Sequence, residues 1–158
     1  MEPPDFRAPV DAALLASLRA WCEGGAFPTL TEPLRVASIA PHAGLDGVAC
    51  VLDGSHELAR LGRWRGWAWR LRILLRESVA GRVARPGDPW DCGWWRDSAL
   101  GPAEKFRPRR ATLLMVRELT PTAAATLLFA LRAKSIVYDK PVRVLVISEA
   151  ASAGVVRL

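Results

Sequence analysis

Cysteine is scarce in this chain and its spacing suits no structural task. Cys22, Cys50 and Cys92 are odd in number and form no CxxC pair, which excludes a secreted disulfide framework and a zinc ribbon and leaves reduced thiols in a cytoplasmic protein as the expectation. Also missing are the phosphate loop GxxxxGK[ST], the dinucleotide turn GxGxxG, the HExxH helix and the GxSxG elbow, the patterns whose spacing has a mechanical reason in catalysis. No apolar run reaches membrane length. The longest uncharged one, Leu119 to Leu131, has 13 residues and contains Pro121, against about 20 for a spanning helix. The first residues, Met1-Glu2-Pro3-Pro4-Asp5-Phe6, hold acids and prolines where a secretory leader would be basic and then apolar. Neither a membrane partner nor a cofactor or metal is expected.

Lysine is rare as well. Nineteen of the 22 basic residues are arginine, a preference that codon bias toward G and C explains by itself. The bias does not explain where the arginines sit. Between Arg60 and Arg110 there are 13 basic and 5 acidic residues, a net +8, while the remainder holds 9 basic and 11 acidic, a net −2. Six of the seven tryptophans (Trp64, Trp67, Trp69, Trp90, Trp94, Trp95) lie in the same stretch, so guanidinium groups and amphipathic rings are interleaved there.

The 158 residues, 51% hydrophobic and 24% charged, suit one globular domain spanning 1–158. Residues 9 to 23 read as an amphipathic helix with Leu14, Leu18 and Trp21 on one face and Gly24-Gly25 as its stop. Arg35 to Ala40 and Gly47 to Leu52, either side of a turn-rich hexapeptide, read as a hairpin. Ser55 is placed to cap a short helix through Leu61. From Trp67 to Arg76 apolar residues alternate with Ala68, Arg70, Arg72, Leu74 and Arg76, a period of two that predicts a strand with one arginine face and one buried tryptophan face. The prolines and glycines of residues 85–110 predict a long loop without a regular element.

Ala111 to Glu118 is apolar on both faces, as in a strand covered on each side. Thr120-Pro121 is a helix start, with Ala123 to Lys134 the helix and Val142 to Ser148 a final strand, a strand–helix–strand unit expected to form a right-handed crossover. The expected class is α+β: a mixed sheet of about four to five strands with two to three helices, ferredoxin-like in order if residues 55 to 61 lie in the first crossover helix.

Two acid-and-ligand clusters compete for a catalytic reading. His42, Cys50, Asp53 and His56 match no common metal spacing, and Asp88, Asp91 and Asp97 stand among arginines and tryptophans that would pair with them or shape turns. No catalytic residue is assigned. The nucleic-acid reading rests on Arg70, Arg72 and Arg76 of the predicted strand and on Arg107, Arg109 and Arg110, which would meet the phosphates of single-stranded DNA or RNA. Trp90, Trp94, Trp95 and Arg96 would form the contact loop, for unpaired bases or for a protein. A non-enzymatic basic binding module within a larger assembly is therefore expected. A protein-binding accessory or adaptor subunit that uses the Trp/Arg-rich loop stands second, and a small hydrolase or nuclease third; the partners considered beside nucleic acid are a protein or a second copy in a homo-oligomer.

Overall fold

A computed structural model describes residues 4–5, 7–26, 29–54, 67–68, 71, 86–95, 103, 105–117, 120–148 and 156–157. Helix α1 (Ala12–Glu23) begins where Asp11 accepts from the amides of Ala13 and Leu14, at 2.9 and 3.0 Å, removing two of the donors a helix start leaves unpaired. It buries Leu18, Trp21 and Cys22. Strand β1 (Leu34–Ile39) follows, then helix α2 (Leu45–Leu52).

The hairpin expectation is corrected here, because its second strand is α2. Eight consecutive residues with apolar positions on every side carry no period that separates strand from helix. Packing separates them: six of the eight are buried, and Gly47 lets the carbonyls of Ala8 and Pro9 lie where a Cβ would stand.

Strand β2 (Asp91–Trp94) lies inside the segment read as an irregular loop. Its signal is a period of two, since Trp90, Cys92 and Trp94 all belong to or pack on one core cluster. The strand is only four residues long, begins two residues after Pro89 and contains Gly93. Strand β3 (Thr112–Arg117), helix α3 (Pro121–Lys134) and strand β4 (Val142–Ile147) follow the sequence signals closely. Thr120 accepts from the amide of Ala123 at 3.2 Å and proline opens the helix. A short 3-10 turn, Ser135–Val137, extends α3, and a two-residue strand β5 (Val156–Arg157) ends the description.

The strands lie in the order β2-β3-β4-β1-β5, and every described pairing is parallel. The chain thus combines helices and strands as expected, but among the described residues the sheet is parallel and not mixed, and no ferredoxin-like order is seen. Parallel neighbours require crossovers, and the α2 helix stands where the antiparallel return strand was expected. Side chains of α1 and α2 pack with Ala37, Ile39, Cys92, Leu113, Met115, Leu145 and Ile147 on one face. Leu127 and Leu131 of α3 pack with Leu114, Val116, Val142 and Val144 on the other. Two-sided cover is why β3 and β4 are apolar at nearly every position.

The predicted strand at 67–76 is also corrected where it can be seen. Trp67, Ala68 and Leu71 have helical backbone, and Trp67 is 61% exposed where a buried face was expected. Arg70, Arg72 and Arg76, the arginines of the predicted strand face, lie outside the described residues. The predicted helix at 55–61 lies outside them too.

Candidate functional site

Among the described residues, one set of charged side chains lies at the amino ends of the parallel strands, and a second, Asp46 and Arg117, lies at the carboxyl ends. At the amino edge, Arg35 of β1 and Arg143 of β4 are register partners, and both turn toward the end of α1. Arg143 is completely buried. Its Nε donates to the Cys22 carbonyl at 2.9 Å, one Nη to the Glu32 and Val142 carbonyls at 3.0 and 3.1 Å, and the other to the Gly24 carbonyl at 2.7 Å. Arg35 donates to the carbonyls of Trp21 and Gly24 at 3.1 and 3.0 Å and pairs with Glu32 at 2.7 Å. The last carbonyls of a helix lack internal partners and carry its negative dipole end. Here two guanidinium forks supply the missing donors. Burial, with Arg35 nearby adding to it, lowers Arg143 to about 10, so it stays charged at neutral pH.

Arg107, Arg109 and Arg110 lead into β3 at the same edge. Arg107 and Arg109 are exposed, and among the described residues no carboxylate pairs with them. Arg110 is half-buried, and its carbonyl accepts from Thr112 Oγ1 at 2.8 Å. The Thr112 amide bonds the Pro141 carbonyl at 2.9 Å, which sets this arginine run beside Lys140.

The predicted contact tryptophans are engaged within the fold. Trp90 is 2% exposed in the core under α1 and α2, with Arg143 5.9 Å from its ring centre. Trp94, at the carboxyl edge, donates from Nε1 to Asp46 Oδ1 at 2.6 Å, and the Arg117 guanidinium covers its ring at 4.2 Å. Trp95 meets Phe106 edge-on at 6.5 Å, and Phe106 meets Tyr138 at 6.2 Å. Arg96 lies outside the described residues.

Among the described residues, the candidate catalytic histidine and cysteines are engaged or protonated, and His56 and Asp97 lie outside the description. His42 Nδ1 accepts the Gly44 amide at 3.0 Å, and Nε2 faces Asp11 Oδ2 at 3.4 Å, so neither nitrogen is open as a general base. The two hydrogen bonds to the start of α1 hold Asp11 below the usual carboxylate range, and His42 adds to this. Burial pushes Cys22 up to about 12 and, with Asp53 and Asp46 adding to it, Cys50 to about 11; burial raises Cys92 well above its ordinary value. At neutral pH these are thiols, whereas a nucleophile or metal ligand needs the thiolate. Among the described residues no three His, Cys, Asp or Glu side chains group as metal ligands, and no helix is long and apolar enough to cross a membrane.

Sequence reasoning had not singled out Arg143, Arg35, Asp46 or Arg117. Arg143 did leave a signal, since a charge inside Val-Arg-Val-Leu-Val-Ile must find polar partners if the strand is covered on both faces. Comparison of the chain with protein-family models, with curated proteins and with solved structures finds no match.

Proposed function

We propose that the chain is a non-enzymatic basic module that binds single-stranded nucleic acid through the amino edge of its sheet, within a larger cytoplasmic assembly. The observation that carries this reading is the state of Arg107 and Arg109, exposed and unpaired by carboxylates among the described residues. A guanidinium fork matches two phosphate oxygens at once. The net +8 between Arg60 and Arg110 draws a polyanion toward that stretch over a longer range.

The fold changes the manner of binding expected from the sequence. Trp90, Trp94 and Trp95 are held by core packing, an Asp46 hydrogen bond and an aromatic neighbour, so base stacking on them is not assigned. Phosphate contacts then dominate, and binding is indifferent to base sequence. The same engagement weakens the adaptor reading in its original form, which needed these rings free for a protein partner.

The test is fluorescence anisotropy of labelled oligothymidylate and oligouridylate titrated with the whole chain over a sodium chloride series. Both should bind, with log affinity falling against log salt by about 0.7 per phosphate contact. Salt-independent binding, or none at low salt, would overturn the reading.

A further inference from the structure

The outer side of α3 is the least explained surface of the described molecule. Its inner side is accounted for, with Leu127 and Leu131 buried against β3 and β4. A helix lying on a sheet ordinarily turns charge toward water. Here Phe129 is 75% exposed, and Ile136 and Val137, on the 3-10 extension, are 90% and 68% exposed. Ala125, Phe129, Ala133 and Ile136 recur at intervals of four, four and three, so they form one stripe. Phe129 and Ile136 stand about two turns apart with the small Ala133 between them, two projections flanking a notch. That is the relief into which the side-chain ridge of another helix fits.

The charge beside the stripe selects the occupant. From Pro121 to Tyr138 there is no acidic residue, Arg132 is exposed at the stripe's margin, and the next carboxylate along the chain, Asp139, is paired with Lys140 at 4.0 Å. We infer that this face docks an amphipathic helix of a partner protein, with apolar residues seated at Ala133 and acidic residues beside Arg132. A second copy of this chain fits less well, because α3 against α3 would bring basic margins together, and like charges across an interface are costly. A lipid surface fits less well too. Helices that lie in a membrane interface carry several large apolar groups on one face and a cationic face opposite, whereas the opposite side of α3 is buried on the sheet. The inference stands apart from the nucleic-acid reading, since it uses neither Arg107 nor Arg109.

The probe is a labelled helical peptide of about 18 residues with leucines at helical spacing and glutamates flanking them. A second peptide carries lysine in place of every glutamate. The whole chain should bind the acidic peptide, and Phe129→Asp should weaken that binding by roughly tenfold or more. Because Phe129 is mostly exposed, this variant should melt with the parent, which separates lost docking from lost folding. Arg132→Glu should reverse the preference toward the lysine peptide. Oligothymidylate binding should be unchanged in both variants, so failure here and failure of the nucleic-acid reading are distinguishable. Equal binding of the two peptides, or none of either, overturns the inference. So does a dimer in sedimentation that Phe129→Asp dissolves, or binding to vesicles of phosphatidylcholine and phosphatidylserine that Phe129→Asp abolishes.

Discussion

Arg143 and Arg109 stand at the same edge of one sheet, at the starts of neighbouring strands, and their surroundings separate their work. Arg143 is buried with four carbonyl acceptors, three of them from α1's last turn and the chain after it. Arg109 is exposed, with no carboxylate partner among the described residues. The same guanidinium is structural in one place and available to a ligand in the other. The difference is whether the fold brings enough oxygen atoms to it. Counting basic residues along the chain cannot make that distinction.

The strongest way to break the contrast is Arg143→Met, which keeps bulk and removes every donor. Unsatisfied buried acceptors cost about 1–3 kcal/mol each, so a loss of about 3–5 kcal/mol is expected in urea unfolding, comparable to breaking a buried ion pair from one side. Arg107→Ala with Arg109→Ala should stay within about 0.5 kcal/mol of the parent, as exposed substitutions do. A loss under about 1 kcal/mol for Arg143→Met would place Arg143 in the same category as Arg109.

Tryptophans sharpen the same division. Trp90→Ala should cost about 3–5 kcal/mol, as for a fully buried ring. Trp94→Phe, which keeps most of the ring and loses the bond to Asp46, should cost about 1–2 kcal/mol. Equal effects would mean that the edge and the core are not energetically distinct.

These positions also mark what the sequence could reveal. Thr120-Pro121 located α3 because capping is local chemistry, and two-sided apolarity located β3 and β4 because it reports cover on both faces. The parallel pairing of β3 with β4 was legible as a strand–helix–strand crossover, but the order of the whole sheet was not, since it depends on which distant segments meet. For Arg143 the decisive partner, the Cys22 carbonyl, is 121 residues away. Period two misled at Trp67 and Leu71, which are also four apart and so fit a helix equally well. At the candidate site, the exposure of Arg107 and Arg109 was legible in their polar, proline-broken segment. The tryptophans were not, because a contact ring and a core ring look alike in sequence.

Titration gives a smaller effect. Cys22 is raised from 9.0 to about 12 by burial, so the unfolded chain releases its proton first as pH rises. The stabilising contribution is therefore complete below about pH 9 and is lost as pH climbs toward the folded value. Urea unfolding at successive pH values should show stability falling above about pH 9, with a shallower fall in Cys22→Ala. An identical slope in that variant would contradict the burial of this thiol.

The smallest change expected is Tyr138→Phe. The buried Tyr138 hydroxyl has no hydrogen-bond partner among the described residues, so removing it should leave stability unchanged or raise it by up to about 1 kcal/mol. A clear loss in thermal unfolding would mean that the hydroxyl is satisfied in solution.

The most direct test of the account compares the salt dependence of oligothymidylate binding for the parent and for the Arg107→Ala, Arg109→Ala pair. If these two arginines meet phosphates while Arg143 holds the fold, the pair should melt like the parent, bind more weakly, and show a log–log slope shallower by about 1.4, twice the single-strand increment per contact. An unchanged slope with unchanged affinity would contradict it, and the amino edge would then not be the nucleic-acid surface.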